Sequence, residues 1–352
     1  MTAQMLVERQ PPLGRLIFNR PAQLNSLTLD MGRIMHRHLE QWLNDPQMHA
    51  VLISANGERA FCAGGDLRAL YDSYHNGERL HFDFLEEEYA LDLLLHRYPK
   101  PTISLMDGLT LGGGMGVAQA CRWRIVTERA RLGMPEVGIG YFPDVLGSYF
   151  LTRLPGRLAE YLAVTGVQLD ATDALACGLA THAITSKAQM QLIEALQQND
   201  WQPDEQPQQI EQLLAELPPV ALHPARLPAR MEAIDRHFSA NSVPAIRESL
   251  LGENNPALRD WAQECASLML QRSPLAMAVS LELMHRGRQL DLQGCAKLEL
   301  HLIYQWFERG DFIEGVRALI IDKDKQPQWN PPRIELLEAA HIDSFFAGFD
   351  PQ

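Results

Sequence analysis

The sequence predicts an α/β fold that continues into a helical C-terminal region. Three observations predict it. Strand-like and helix-like runs alternate early: 13–18 is β-like, 28–44 has helical spacing and 51–54 is a buried strand. Two glycine-rich loops, at 61–66 and 112–114, each follow a strand and enter a helix. Beyond residue 210 most candidate elements are helices with one apolar face.

The strand 13–18 ends in Asn19-Arg20-Pro21. Residues 28–44 place Met31, Ile34, Met35, Leu39, Trp42 and Leu43 on one face, with Thr28 or Asp30 as cap. Asn56-Gly57 ends the next strand with a turn, so strand, helix and strand read as a βαβ crossover. FCAGGDLRALY then runs from a glycine loop into a helix, whose first N–H groups lack partners. A helix over 80–97 stops at Pro99 and Pro101, and 102–106 is strand-like. Asp107-Gly108 turns into Gly112-Gly113-Gly114, followed by a small-residue helix over 115–121. A strand follows at 124–127, and Pro135 holds Met134 extended. Helical pieces at 149–154, 158–165 and 171–177 alternate with turns at Gly156, Gly166 and Gly178, and 181–184 reads as a last short strand. Residues 196–209, rich in Gln, Pro and Asp, read as a linker or exposed loop between a core, 1–195, and a helical region, 210–352. Helices are expected there at 210–217, 231–238, 256–271, 274–286, 291–309 and 312–319.

At 352 residues the chain suits one large domain of about 200 residues plus a C-terminal region. Hydrophobic residues make up 46% and charged residues 21%, which is globular rather than disordered. A net charge of -13 argues against a nucleic-acid partner, which needs a basic face, yet leaves room for a phosphate held by a few local cations. The five cysteines are odd in number and include no CxxC pair, so reduced thiols are expected rather than a disulfide frame or zinc site. Cys62 reads as a buried spectator beside the glycine loop, with no His nearby in sequence as a base. No metal is expected, since HExxH and clustered His/Cys are absent from the sequence. The N-terminus lacks the marks of a signal or transit peptide, and no apolar run of about 18 residues occurs, so a cytoplasmic protein with no membrane partner is expected.

The glycine loops fit neither GxGxxG at the first strand nor GxxxxGK[ST], which disfavours a dinucleotide fold or P-loop. Glycines that serve only tight turns are one reading. The other is that backbone N–H groups from the two loops converge on one oxygen, stabilising an oxyanion or enolate by a few kcal/mol each, about 3 by analogy with known donors. Glu136 follows Pro135 in an apolar neighbourhood, where burial would raise its proton affinity and suit a general base. Asp144 lies eight residues on, after Pro143; for both acids a surface loop is the competing reading. Glu88 lies in a run of three acids, a pattern more typical of a solvated helix face.

NRPAQLNSL, FCAGGDLRALY, GLTLGGGMGV, MPEVGIGYFPDVLGSYFLTRLPG and DFIEGVRALIIDKDKQPQW resemble the crotonase (enoyl-CoA hydratase/isomerase) superfamily over nearly the whole chain. FPD after the PE pair, and the last segment, resemble its 3-hydroxyisobutyryl-CoA hydrolase branch. The resemblance implies a crotonase-like spiral of ββα units with a helical C-terminal region. It implies an oxyanion hole from the N–H groups of Gly65 and Gly113, a catalytic glutamate at Glu136 and a catalytic aspartate at Asp144. Glu88 falls on a substrate-binding position, and Gly116 stands where hydratases carry their second catalytic glutamate. Leu146 and Ser148 replace glycines of the family pattern, which bears on acyl-chain choice. Gln23 replaces a lysine near the CoA phosphates, a charge that Arg68 could supply.

The expected activity is therefore hydrolysis of a short β-hydroxyacyl-CoA, such as 3-hydroxyisobutyryl-CoA in valine breakdown. CoA is then part of the substrate and no cofactor is implied. An enoyl-CoA hydratase or isomerase with Glu136 as base is the alternative, and an idle CoA-binding protein ranks last. Such relatives are often trimeric, so a homo-oligomer is compatible, although the C-terminal helices could cover that surface.

Overall fold

The computed structural model describes residues 3–202 and 204–350. The chain forms two compact units. The first runs to Gly65 and takes in 87–132 and 169–225; the second takes 66–86, 133–168 and the chain from Arg226 onward.

Strands of the first unit are β1 (Met5–Gln10), β2 (Leu13–Phe18), β3 (Ala50–Ala55), β4 (Ala60–Cys62), β5 (Thr102–Met106), β6 (Leu109–Leu111), β7 (Trp123–Thr127), β8 (Arg131–Gly133), β9 (Leu169–Asp170) and β10 (His182–Ile184). They form a six-stranded sheet, β1-β2-β3-β5-β7-β10, and a four-stranded sheet, β4-β6-β8-β9. β1 and β2 are antiparallel, and the remaining pairs of the larger sheet are parallel. Each successive pair, β3/β4, β5/β6 and β7/β8, sends one strand to each sheet. Helix Leu29–Leu43 follows β2, Leu67–His75 follows β4 and Gly113–Ala120 follows β6, so the repeating unit is ββα.

Local chemistry explains these elements. β3 is buried at five of its six residues and β5 at all five, as parallel strands covered on both faces require. Thr28 Oγ1 accepts the Met31 N–H at 3.3 Å and caps helix Leu29–Leu43. Met31, Met35, Leu39 and Trp42 form the buried stripe, while Ile34 and Leu43 lie half-buried at its margin. Asp66 caps Leu67–His75 in the second unit in the same way.

Residues 196–209 belong to the first unit. Helices Gln189–Gln198 and Gln206–Ala215 flank a short connection, and Trp201 in that connection is 7% exposed. Trp201, Ile210, Leu214 and Leu217 join Leu13, Leu52, Ile103, Leu105, Trp123 and Ile125 in one apolar cluster. Burial of these side chains draws a polar-looking stretch onto the sheet.

The second unit is helical. Ser273 caps Pro274–Gly287 and Asp291 caps Leu292–Arg309 through side-chain bonds to Ala276 N and Gly294 N. The helix expected over 312–319 is α-helical only over Phe312–Val316 and continues as a π-helical turn, Arg317–Ile321. Val243–Leu251 and Ala339–Phe346 are further helices with no counterpart in the sequence reading. Among the described residues no helix is long and apolar enough to cross a membrane.

Candidate active site

The glycine loops meet in the first unit. Gly112, at φ 50° and ψ -122°, precedes helix Gly113–Ala120 in a conformation that suits only glycine. Gly113 opens the helix, so its N–H has no intrahelical acceptor. A Cβ on Gly113 would overlap Glu88 Oε1 and would lie 3.6 Å from the Gly65 backbone nitrogen. A Cβ on Gly114 would overlap the Cys62 carbonyl oxygen. Gly112 serves a turn, but Gly113 and Gly114 are needed for close approach. Gly65 itself is held against Leu27 by a parallel bridge, with Leu27 N donating to Gly64 O at 2.9 Å.

The three consecutive acids of helix Leu80–His96, Glu86 to Glu88, part company. Glu87 pairs with Arg33 at 2.6 Å in the first unit, and Glu86 with Arg79 at 2.7 Å in the second. Glu88 turns inward and is 4% exposed. The solvated-face reading holds for its two neighbours and fails for Glu88. Cys62 is wholly buried and its thiol is pushed up to about 12 by burial, as suits a spectator.

Glu136 and Asp144 meet in the second unit. Glu136 opens a 3-10 turn, Glu136–Ile139, directly after Pro135, and is 6% exposed. Its Oε2 is buried with no hydrogen-bond partner among the described residues. Burial first, then the charge of Asp144, raise its proton affinity well above the usual carboxylate range. Asp144 is raised to about 8, by burial first and then by Glu299, against a hydrogen bond from Tyr141. The apolar surroundings are aromatic. Tyr141 stacks on Phe142 with centroids 4.5 Å apart, and Trp306 meets Phe142 edge-on at 5.1 Å. Trp306 Nε1 donates to Gly140 O at 2.9 Å, tying this wall to the segment between the two acids.

Glu299 is a participant that the sequence reading missed. It is fully buried on helix Leu292–Arg309, and accepts the N–H groups of Leu146 and Ser148 at 2.8 Å each. The Ser148 hydroxyl donates to it as well. A signal was present: Cys295, Glu299, Leu302 and Trp306 share one helical stripe, so Glu299 is an acid on an apolar face. Leu146 and Ser148 are both buried. Arg68 is exposed and donates through Nη2 to Ile320 O at 3.0 Å; Gln23 is exposed.

The structure thus brings Gly65, Gly113 and Glu88 together in one unit, and Glu136, Asp144 and Glu299 together in the other. The first set offers backbone donors beside a buried acid. The second offers two carboxyls with raised proton affinity, the condition in which such groups exchange protons near neutral pH.

Residues 13–346 match the family model described as enoyl-CoA hydratase/isomerase. A protein of Danio rerio named 3-hydroxyisobutyryl-CoA hydrolase, mitochondrial, is 36% identical over 99% of this chain and 90% of its own length. Its namesake in Rattus norvegicus is 36% identical over 98% and 89%. Among solved structures, an enoyl-CoA hydratase from Rhodobacter sphaeroides superposes with a TM-score of 0.88 at 34% identity, covering 98% of this chain and 97% of that one. A carnitinyl-CoA dehydratase from Mycobacterium thermoresistibile gives 0.89 at 33%, covering 100% and 98%. The fold is therefore the expected crotonase-like α/β spiral with its helical C-terminal region, and the chain belongs to the enoyl-CoA hydratase/isomerase family.

Proposed function

We propose that the protein hydrolyses a short β-hydroxyacyl-CoA, with 3-hydroxyisobutyryl-CoA the leading substrate. The observation that carries this reading is the full-length likeness to hydrolases of that name, on a chain whose Glu136 and Asp144 are both buried. Gly116 supports it: hydration of a double bond uses two carboxylates around one water, and the residue at the second hydratase position has no carboxylate.

In this reading the thioester carbonyl oxygen takes the N–H groups of Gly65 and Gly113, which act most strongly on the negative charge that develops there. Glu136 in its ionised form attacks the carbonyl carbon and the C–S bond breaks, giving an anhydride that water cleaves. The other route has Glu136 take a proton from water, which attacks instead. Label from 18O-water entering the Glu136 carboxylate in a single turnover supports the first route. Asp144 protonates the departing sulfur and orients the substrate hydroxyl or water. Glu88 contacts the substrate, and Arg68 supplies charge for the CoA phosphates. CoA enters and leaves with the substrate, and no prosthetic group takes part. A place in valine breakdown in the cytoplasm belongs to the same proposal.

The test is thiol release from 3-hydroxyisobutyryl-, 3-hydroxypropionyl-, 3-hydroxybutyryl-, acetyl- and crotonyl-CoA. Fast release from the β-hydroxy compounds alone is the expected result. The two solved relatives named for hydration and dehydration favour a second reading, with Glu136 as sole base. Consumption of crotonyl-CoA without thiol release from any compound would replace the hydrolase by that reading.

A further inference from the structure

Asp144 begins a turn that side-chain-bearing residues rarely adopt. Val145 and Leu146, the next two residues, have φ 49° and 65°. β-Branched and bulky residues in this region are strained, and such a turn persists only where its surroundings hold it. Gly147 N donates to Asp144 O at 2.7 Å, which closes the turn but does not fix its position.

Glu299 fixes it. Its Oε2 takes the N–H of Leu146, its Oε1 the N–H of Ser148, both at 2.8 Å, and the Ser148 hydroxyl is a third donor. Behind Ser148 stands Gly287, where a Cβ would lie 2.7 Å from Ser148 O and 2.9 Å from Ser148 Cβ. The two departures from the family's glycine pattern, Leu146 and Ser148, are thus the residues whose backbone Glu299 holds. Three donors on one carboxylate suit the ionised form, which accepts and cannot donate. A buried charge is tolerable only when satisfied in this way.

Other groups bear on the pair. Glu136 and Tyr141 face Asp144 from its own segment. Cys295 faces Glu299 from the same helix, and Arg153 faces Cys295 while donating to the carbonyls of Gly287 and Leu290. Carboxyls crowded in an apolar space do not all ionise. Glu299 has the donors, so Asp144 is the one left to hold a proton.

We infer that Glu299 is a positioning residue for the reaction: it fixes the turn that carries Asp144 and sets a negative charge beside that carboxyl. The inference rests on the hydrolase reading for its chemistry. When the C–S bond breaks, the Asp144 O–H bond breaks and an S–H bond forms. On the anhydride route, water then attacks the Glu136 carbonyl carbon, one of its protons returns to Asp144, the product leaves as its carboxylate, and Glu136 releases its remaining proton to solvent.

Three readouts on the full chain test this. In Glu299→Gln, kcat should fall at least about 10-fold with KM changed by less than about threefold, the pattern of a misplaced acid. Its alkaline limb should move down by about one pH unit, because the charge that keeps the proton on Asp144 is gone. In Glu299→Asp the charge stays but the reach is lost, so a similar fall in kcat should come with an unmoved limb. A fall in Glu299→Gln with an unmoved limb would reduce Glu299 to a structural role, and wild-type kcat in folded Glu299→Asp would remove the role altogether. The third readout needs no substrate. The infrared carbonyl band of protonated Asp144, assigned by its loss in Asp144→Asn, should titrate at lower pH in Glu299→Gln. An unchanged titration overturns the inference even if the thioester reading stands, and a shifted one upholds the charge relationship even if no thioester is cleaved.

Discussion

Gly113 and Glu88 share a space with room for only one side chain: a Cβ on Gly113 would overlap Glu88 Oε1. Gly113→Ala should therefore displace the Glu88 carboxyl, the helix N-terminus with its N–H, or both. Loss of one oxyanion donor is worth about 100-fold or more in kcat. Adding Glu88→Ala should restore part of the stability lost, since the overlap is removed, but not the substrate contact proposed for Glu88. Thermal melts and thiol-release kinetics on the two single variants and the double variant would measure this coupling. Full additivity would show that the two residues do not compete.

Glu136→Gln should lower kcat by about 100-fold or more, as for loss of a base or nucleophile. The same change should raise Tm most at alkaline pH, where the buried Glu136 carboxyl, whose Oε2 has no hydrogen-bond partner among the described residues, would otherwise carry a charge. Loss of activity together with gained stability separates a functional group from a structural one. Near-normal turnover in the variant would remove Glu136 from the mechanism.

Asp144 contributes to the pH dependence of stability. Its proton affinity rises from an ordinary value of 3.8 to about 8 on folding. Between those values the native state holds a proton that the unfolded chain has released, so this group makes stability fall as pH rises. Asp144→Asn should flatten the decline in Tm between pH 4 and 8, and its gain over wild type should be largest at the alkaline end. A parallel displacement of the two curves would contradict the assignment.

Glu253 should behave in the opposite sense. It accepts the Asn255 N–H at 2.8 Å, lies 2.9 Å from His237 Nε2 and pairs with Arg236, and its carboxyl is lowered to about 2. Folding favours its ionised form, so the stability it contributes is present above pH 4.5 and is lost as pH falls through about 2. Glu253→Gln should lower Tm at neutral pH and approach wild type in strong acid. A difference independent of pH would point to packing instead.

The cysteines make a prediction about the assay itself. All five are free and buried. Native protein should therefore show no fast-reacting thiol with a disulfide reagent, and denatured protein should show five. A fast thiol in the native state would mark local opening and would have to be subtracted from any measured CoA release.

Legibility in the sequence followed the range of the interactions. Leu13–Phe18, Thr102–Met106, Leu158–Thr165 and Ala171–Cys177 lie where their local patterns placed them. Pro135 beside apolar residues raised a buried Glu136 as one of two readings, the other being a surface loop, and the fold decides for burial. β1 escaped because much of it is half-buried or exposed, so its alternation is weak. Composition marked 196–209 as polar, yet Trp201 and the following Ile210 and Leu214 are what pack. Glu299 escaped for a different reason. Its partners Leu146 and Ser148 lie about 150 residues away, and only the fold joins them.

The interleaving of the chain bears on synthesis. The apolar cluster of the first unit reaches from Leu13 to Leu217. While the chain emerges N-terminus first, β2, β3, β5 and β7 are all available before Trp201, Ile210, Leu214 and Leu217 exist to cover Leu52, Leu105 and Trp123. The nascent sheet therefore waits with an apolar face open until Leu217 has been made. A polypeptide released in that interval presents the exposed strand surface that chaperones bind and that aggregates form from.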